Sequence, residues 1–223
     1  MNKNGPVLIF LKKLNVDHIF YNYLSVYVLS KQLEMENILV YNPDTIVTNS
    51  FDANYHLSKG IYGIILSKEI TKEEMISIAL KCKGNVGVIV SGYLNMSYSK
   101  RKLIDSYFDF IDKQENILNA KDLYLIEQTR QGKMPVLEEE QGTMVFTDYV
   151  QESFDEVVEL YTNNINMFIV DGIFLNVEMV IDTLKGYKAL LDNKEFNKED
   201  YYLKYSELEL STGYMEKKTN LVK

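Results

Sequence analysis

The sequence predicts an α/β protein, on three observations. Short runs rich in Val, Ile and aromatic residues recur along the chain. Longer stretches with apolar residues three and four apart lie between them. The short runs do not alternate strictly with polar residues, the pattern of strands buried on both faces in a parallel sheet. Alternation of such strands with amphipathic helices defines the class.

Taken in order, the predicted strands are 16–21, 38–41, 62–66, 86–90 and 167–170. Thr71 and Glu74 have the spacing of a capping box and precede Met75, Ile76, Ala79 and Leu80, so a helix starts there. Ser153 and Glu156 repeat that spacing before Val157, Leu160 and Tyr161. Val177, Val180, Ile181, Leu184, Tyr187 and Leu191 follow the three–four repeat of an amphipathic helix. Between 121 and 149 the alternation breaks. Segments 124–128 and 143–147 read as an antiparallel hairpin around a polar stretch holding Gly132, Pro135, Glu138–Glu140 and Gly142. In this reading Glu138–Glu140 is a solvated turn. A last helix is predicted over 198–208.

Composition narrows the function. With 46% hydrophobic and 25% charged residues, the 223-residue chain has the make-up of a folded globular protein. A net charge of −8 opposes non-specific binding to nucleic acid but leaves room for a local basic patch. One cysteine, Cys82, and two histidines, His18 and His56, cannot build a zinc finger or an all-cysteine iron–sulfur site. Cys82 reads as a small buried residue on the apolar face of a helix. No metal or cofactor signature is present. The apolar run 7–11 is too short for a signal-peptide core, and no segment reaches the ~20 apolar residues of a membrane span, so a cytoplasmic protein without membrane contact is expected.

In parallel α/β folds the working residues lie beyond the carboxyl ends of the strands. That rule selects Thr45, Thr48 and Asn49 after the second strand, Lys68 and Glu69 after the third, Lys100 and Arg101 beyond Ser91-Gly92 after the fourth, and Asp171 after the last. Glu139 joins them from the hairpin. Glu69 and Asp171 are the candidate acid/base carboxylates; the others are candidate substrate-binding groups, with Lys68, Lys100 and Arg101 as a cation cluster for a carboxylate or phosphate. The alternative reading is plainer: carboxylates cap helices, and Lys100-Arg101-Lys102 is a solvated run. No nucleophile–base pair, phosphate loop or metal-ligand spacing appears.

From Gly92-Tyr93-Leu94-Asn95-Met96-Ser97-Tyr98 through Ser99-Lys100-Arg101-Lys102-Leu103-Ile104 the sequence resembles the collagenase-like peptidases of unassigned mechanism, family thirty-two of that group, in its short-subunit branch. Five further stretches agree in order: 45–49 with Asn54-Tyr55, Leu66-Ser67-Lys68-Glu69, Pro135 to Thr143, Val170-Asp171-Gly172-Ile173, and Ser211-Thr212-Gly213-Tyr214. The departures are informative. Where the family signature carries an acidic residue, a His-Gly pair and a Cys, this sequence has Gly87, Ser91-Gly92 and Asn95, and Lys68 stands where an Arg is usual.

The resemblance implies an incomplete (β/α) TIM-like barrel with an inserted β-hairpin, since a closed barrel takes about 250 residues and the family's opening strands precede the region matched by 12–21. It implies residues 1–192 as the partial barrel, the hairpin insertion at about 121–149, and 193–223 as a tail. The family name implies proteolysis. Other branches resemble factors for hydroxylation of RNA bases, including the wobble uridine of tRNA. For a short subunit that implies a non-proteolytic role beside the larger paired family subunit, or as a homo-oligomer, with RNA as substrate. A genuine peptidase acting on peptides, or an inactive shortened product, is the alternative.

Overall fold

The computed structural model describes residues 4–113, 120, 122–128 and 132–217. Along the chain these form α1 (Asn4–Leu14), β1 (Ile19–Tyr21), α2 (Leu24–Gln32), β2 (Leu39–Tyr41), α3 (Ser50–Leu57), β3 (Gly63–Ile65), α4 (Lys72–Ala79), β4 (Asn85–Ser99) and α5 (Leu103–Phe110). There follow β5 (Leu123–Leu125), β6 (Met134–Glu139), β7 (Gly142–Gln151), α6 (Val157–Thr162), β8 (Met167–Val170), α7 (Val177–Leu191), α8 (Lys198–Lys204) and β9 (Leu210–Ser211). The mixed α/β class predicted from the sequence is what the chain adopts. Of the expected hairpin region and tail, residues 121, 129–131 and 218–223 lie outside the described residues.

The chain divides into two units. One takes in residues up to Val90, Asp155–Ile169 and the residues from Gly213 on; the other is Ser91–Phe154 with Val170–Thr212.

In the first unit β1, β2, β3 and the opening of β4 pair in parallel, in that order. β8 pairs with β4. Leu8 of α1, Ile19 and Tyr21 of β1, Tyr27 of α2 and Leu39 of β2 share one buried cluster. Phe20, between Ile19 and Tyr21, is exposed, as strand alternation requires. Two glycines admit a close approach. A Cβ added at Gly87 falls 2.8 Å from the Cβ of Met167 and 2.6 Å from Cδ1 of Ile65, and one at Gly63 falls 2.5 Å from the Met167 methyl. The capping box at α4 forms as predicted: the Thr71 hydroxyl accepts from the Glu74 N–H, and the Glu74 carboxylate accepts from the Thr71 N–H. The second expected box does not. α6 starts at Val157, and the side chain of the residue before it, Glu156, does not cap it. Cys82 lies past the end of α4, half-buried rather than on a helix face.

In the second unit the far half of β4 pairs antiparallel with β7, β7 with β6, and β6 with β5. β9 joins β7 in parallel. The sequence placed a loop at Ser91-Gly92; the strand instead runs on to Ser99. Gly92 makes this feasible at φ +125, where an added Cβ would lie 2.5 Å from the Asp171 carbonyl oxygen. The pairing also differs from expectation: the partner joined to β7 by the tight turn is β6, which contains Pro135. Proline lacks the ladder N–H and reads as a break. The helix over 177–191 stands, capped by the Asn176 side chain on the Met179 N–H. Its buried face, however, is Met179, Thr183, Gly186 and Tyr187, while Val177, Ile181 and Leu184 are exposed. The small residue decides this: at Gly186 an added Cβ would meet the rings of Phe196 at 2.6 Å and Phe154 at 2.9 Å. Phe154 packs against Tyr187, Phe196 and Tyr201 with ring centres 4.6, 4.8 and 5.0 Å apart.

Candidate functional site

In the first unit the loops after β2 and β3 are tied together. The Ser67 N–H donates to the Val47 carbonyl at 2.9 Å, and the Lys68 ammonium is hydrogen-bonded to the Asp44 carboxylate. The Lys68 side chain is 3% exposed and Asp44 is 49% exposed, so a buried cation reaches solvent only beside its counter-ion. Asp44 has φ 72, a left-handed conformation that Asp tolerates better than most residues. Asp44 lies in the Asn-Pro-Asp-Thr turn after β2 and is the counter-ion of Lys68.

The neighbouring candidates have simpler roles. Asn49 is the cap of α3: its side-chain oxygen accepts from the Phe51 and Asp52 N–H groups at 3.0 Å each. Thr45 and Thr48 are exposed on the same loop. Glu69 is exposed, its N–H donating to the Ser67 hydroxyl at 3.2 Å.

Behind this loop, the His56 ring stacks on Tyr41 at 4.0 Å. Burial lowers the His56 pKa, Lys59 lowers it further and Asp52 opposes the shift. Burial also raises the Tyr41 hydroxyl, with Asp52 adding to it. His18 stacks on Tyr62 at 3.9 Å. Among the described residues neither histidine hydrogen-bonds a Ser, Thr or Cys, and burial raises the Cys82 thiol pKa. A raised pKa makes a poor nucleophile at neutral pH.

In the second unit the segment Ser99–Lys102 is fixed from outside. Glu138 is 1% exposed, not a solvated turn residue, because its carboxylate accepts the Ile104 and Asp105 N–H groups at 2.8 and 3.0 Å. A side chain 34 positions away thus caps α5. The Thr143 hydroxyl accepts from the Leu103 N–H at 2.9 Å and lies against the Arg101 carbonyl and the Glu138 carboxylate, to one of which its single proton goes. Lys100 and Arg101 are exposed, and Lys102 is half-buried. Among the described residues none of the three carries an ion pair. Glu139 is half-buried in the β6–β7 ladder opposite Gly142. Asp171 is exposed, its carboxylate accepting the Ile173 N–H at 3.0 Å; the cap of α7 is Asn176. Glu138 and Thr143 were missed because the bonds that give them a role span dozens of residues.

The fold and these loops define an α/β protein with polar strand-end loops and a basic turn buttressed by a buried carboxylate. The chain belongs to peptidase family U32, whose pattern it matches over residues 1–221. It is 27% identical over 203 residues to "tRNA hydroxylation protein P2" of Bacillus subtilis (strain 168), an alignment covering 90% of this chain and 66% of that protein. The chain thus spans just under two thirds of that relative's length. No solved structure matches it.

Proposed function

We propose that this chain serves tRNA hydroxylation as a non-proteolytic subunit beside a larger family member, on an incomplete TIM-like barrel. The observation that carries the reading is the likeness to a tRNA hydroxylation protein along 90% of the chain. The chemistry of the side chains is consistent with it. Amide hydrolysis needs an activated nucleophile or a metal-bound water, whereas here both histidines stack on tyrosines and Asp171 is engaged by a backbone N–H. In this reading Lys68 holds an anionic group that exchanges for Asp44, with Thr45, Thr48 and Asn49 beside it. Glu69 is the free carboxylate of that loop pair and the first acid/base candidate, with Asp171 the second. Lys100, Arg101 and Glu139 serve substrate binding in the other unit.

The test is genetic and chemical. Deleting the gene is expected to remove a hydroxylated uridine from bulk tRNA, measured by mass spectrometry of nucleosides, and the intact gene restores it. Unchanged hydroxylation together with cleavage of gelatin by the purified protein establishes the peptidase alternative instead.

A further inference from the structure

The basic turn is unusual for this chain. The protein carries a net charge of −8, yet Lys100, Arg101 and Lys102 are consecutive and, among the described residues, none has a counter-ion. The backbone around them is held at several points: Glu138 on the Ile104 and Asp105 N–H groups, Thr143 on Arg101 and Leu103, and the Ser99 hydroxyl on the Arg101 N–H. Three like charges repel, and a solvated run needs no such frame.

Aromatic side chains flank the turn. Tyr98 is 46% exposed, and its hydroxyl donates to the Gln141 carbonyl. On α5, Tyr107 and Phe110 are 56% and 86% exposed, and with Leu103 they share a face by their spacing of four and three. Asp105 and Asp109, four apart on α5, fall on a different side of the helix, so these two carboxylates stay off the aromatic face.

We propose that this turn and the aromatic face of α5 form a docking surface for unpaired RNA nucleotides, the cations taking phosphates and Tyr107 and Phe110 stacking on bases. The proposal rests on the tRNA-linked function above and names the part of the chain that meets the nucleic acid. Charge complementarity selects the occupant: cations serve a polyanion, and exposed rings beside them suit the faces of unpaired bases. A duplex keeps its base faces stacked inside and leaves the rings unused.

The full chain is titrated with a fluorescein-labelled single-stranded oligouridylate and with a duplex of equal length, by fluorescence anisotropy at several salt concentrations. Wild type is expected to prefer the single strand. Lys100→Glu with Arg101→Glu abolishes binding and flattens the salt dependence. Tyr107→Ala and Phe110→Ala each weaken single-strand binding by about fivefold to a hundredfold, as loss of a base–aromatic stack does, while Tyr107→Phe binds as wild type. Lys185→Ala, on α7, is the control, and thermal melts confirm that each variant folds. Unchanged binding in the charge reversal, equal affinity for duplex, or an aromatic variant that binds RNA normally but no longer co-purifies with the larger subunit overturns the proposal. Nucleoside analysis separates the two readings. Hydroxylation that depends on the gene but survives the charge reversal overturns this surface alone. Hydroxylation that persists without the gene overturns the function.

Discussion

The Lys68 ammonium is buried, and its charge is met by the half-exposed carboxylate of Asp44. The Thr71–Glu74 box was legible because both bonds close within three residues. Ser153 and Glu156 have the same spacing, but the Ser153 N–H, which a box would give to Glu156, donates to the Tyr187 hydroxyl. Tertiary contact overrode a local signal. At Lys68 the sequence supplied the cation but not its burial. Asp44→Asn leaves that ammonium in a poorly solvated place without its counter-charge. The expected cost is about 1–3 kcal/mol, read as a lower urea midpoint with an unchanged slope. His56 gives a pH signature. Its folded pKa lies below the ordinary 6.5 because burial, then Lys59, disfavours the charged ring. The neutral ring therefore contributes stability that is present above pH 6.5 and is lost as pH falls through the lowered folded value. Melting temperature should decline between pH 7 and pH 5 more steeply in wild type than in His56→Gln.

At the scale of elements, the strands were legible where burial makes an apolar run, complete on both faces at Gly63–Ile65 and partial at Met167–Val170. The far half of β4 was not, since Gly92, Asn95 and Ser97 look like loop and only pairing with β7 makes them strand. The two glycines under Met167 allow a cycle of substitutions. Gly63→Ala meets mainly the methionine methyl, so Met167→Ala should relieve part of its cost. Gly87→Ala meets the Met167 Cβ, which alanine keeps, so no relief follows. Each glycine substitution alone should cost about 1–3 kcal/mol, and denaturant unfolding of the single and double variants gives the coupling. Gly142→Ala tests the buttress of the basic turn. An added Cβ would lie 2.0 Å from the Ser99 carbonyl oxygen, at φ +143. It should lower the melting temperature and weaken oligouridylate binding together.

For the whole molecule, the α/β class was legible in the alternation of apolar runs with amphipathic stretches, and the ordered resemblance pointed to the family that the match over residues 1–221 establishes. The candidate residues were legible as types. What they do was less so: Asn49 caps a helix, Asp171 closes a turn, and Glu138, read as solvated, is the buried support of α5 and sits against Thr143, which lies on the Arg101 carbonyl. Charge at this scale also sets a prediction. The salt slope follows the cations that meet phosphates, so three of them on a single strand predict an affinity loss of about 20-fold between about 50 and 200 mM salt.

The division into two units bears on how the chain is made. Val90 and Ser91 are adjacent on β4 yet belong to different units, and the chain crosses again at Phe154–Asp155, Ile169–Val170 and Thr212–Gly213. Met215, 1% exposed, takes the Lys72 N–H on its carbonyl within the first unit. During synthesis the unit begun first is therefore completed last. Its early strands leave the ribosome long before β8 and Met215 exist to complete the unit, so apolar strand surface stays exposed through most of synthesis.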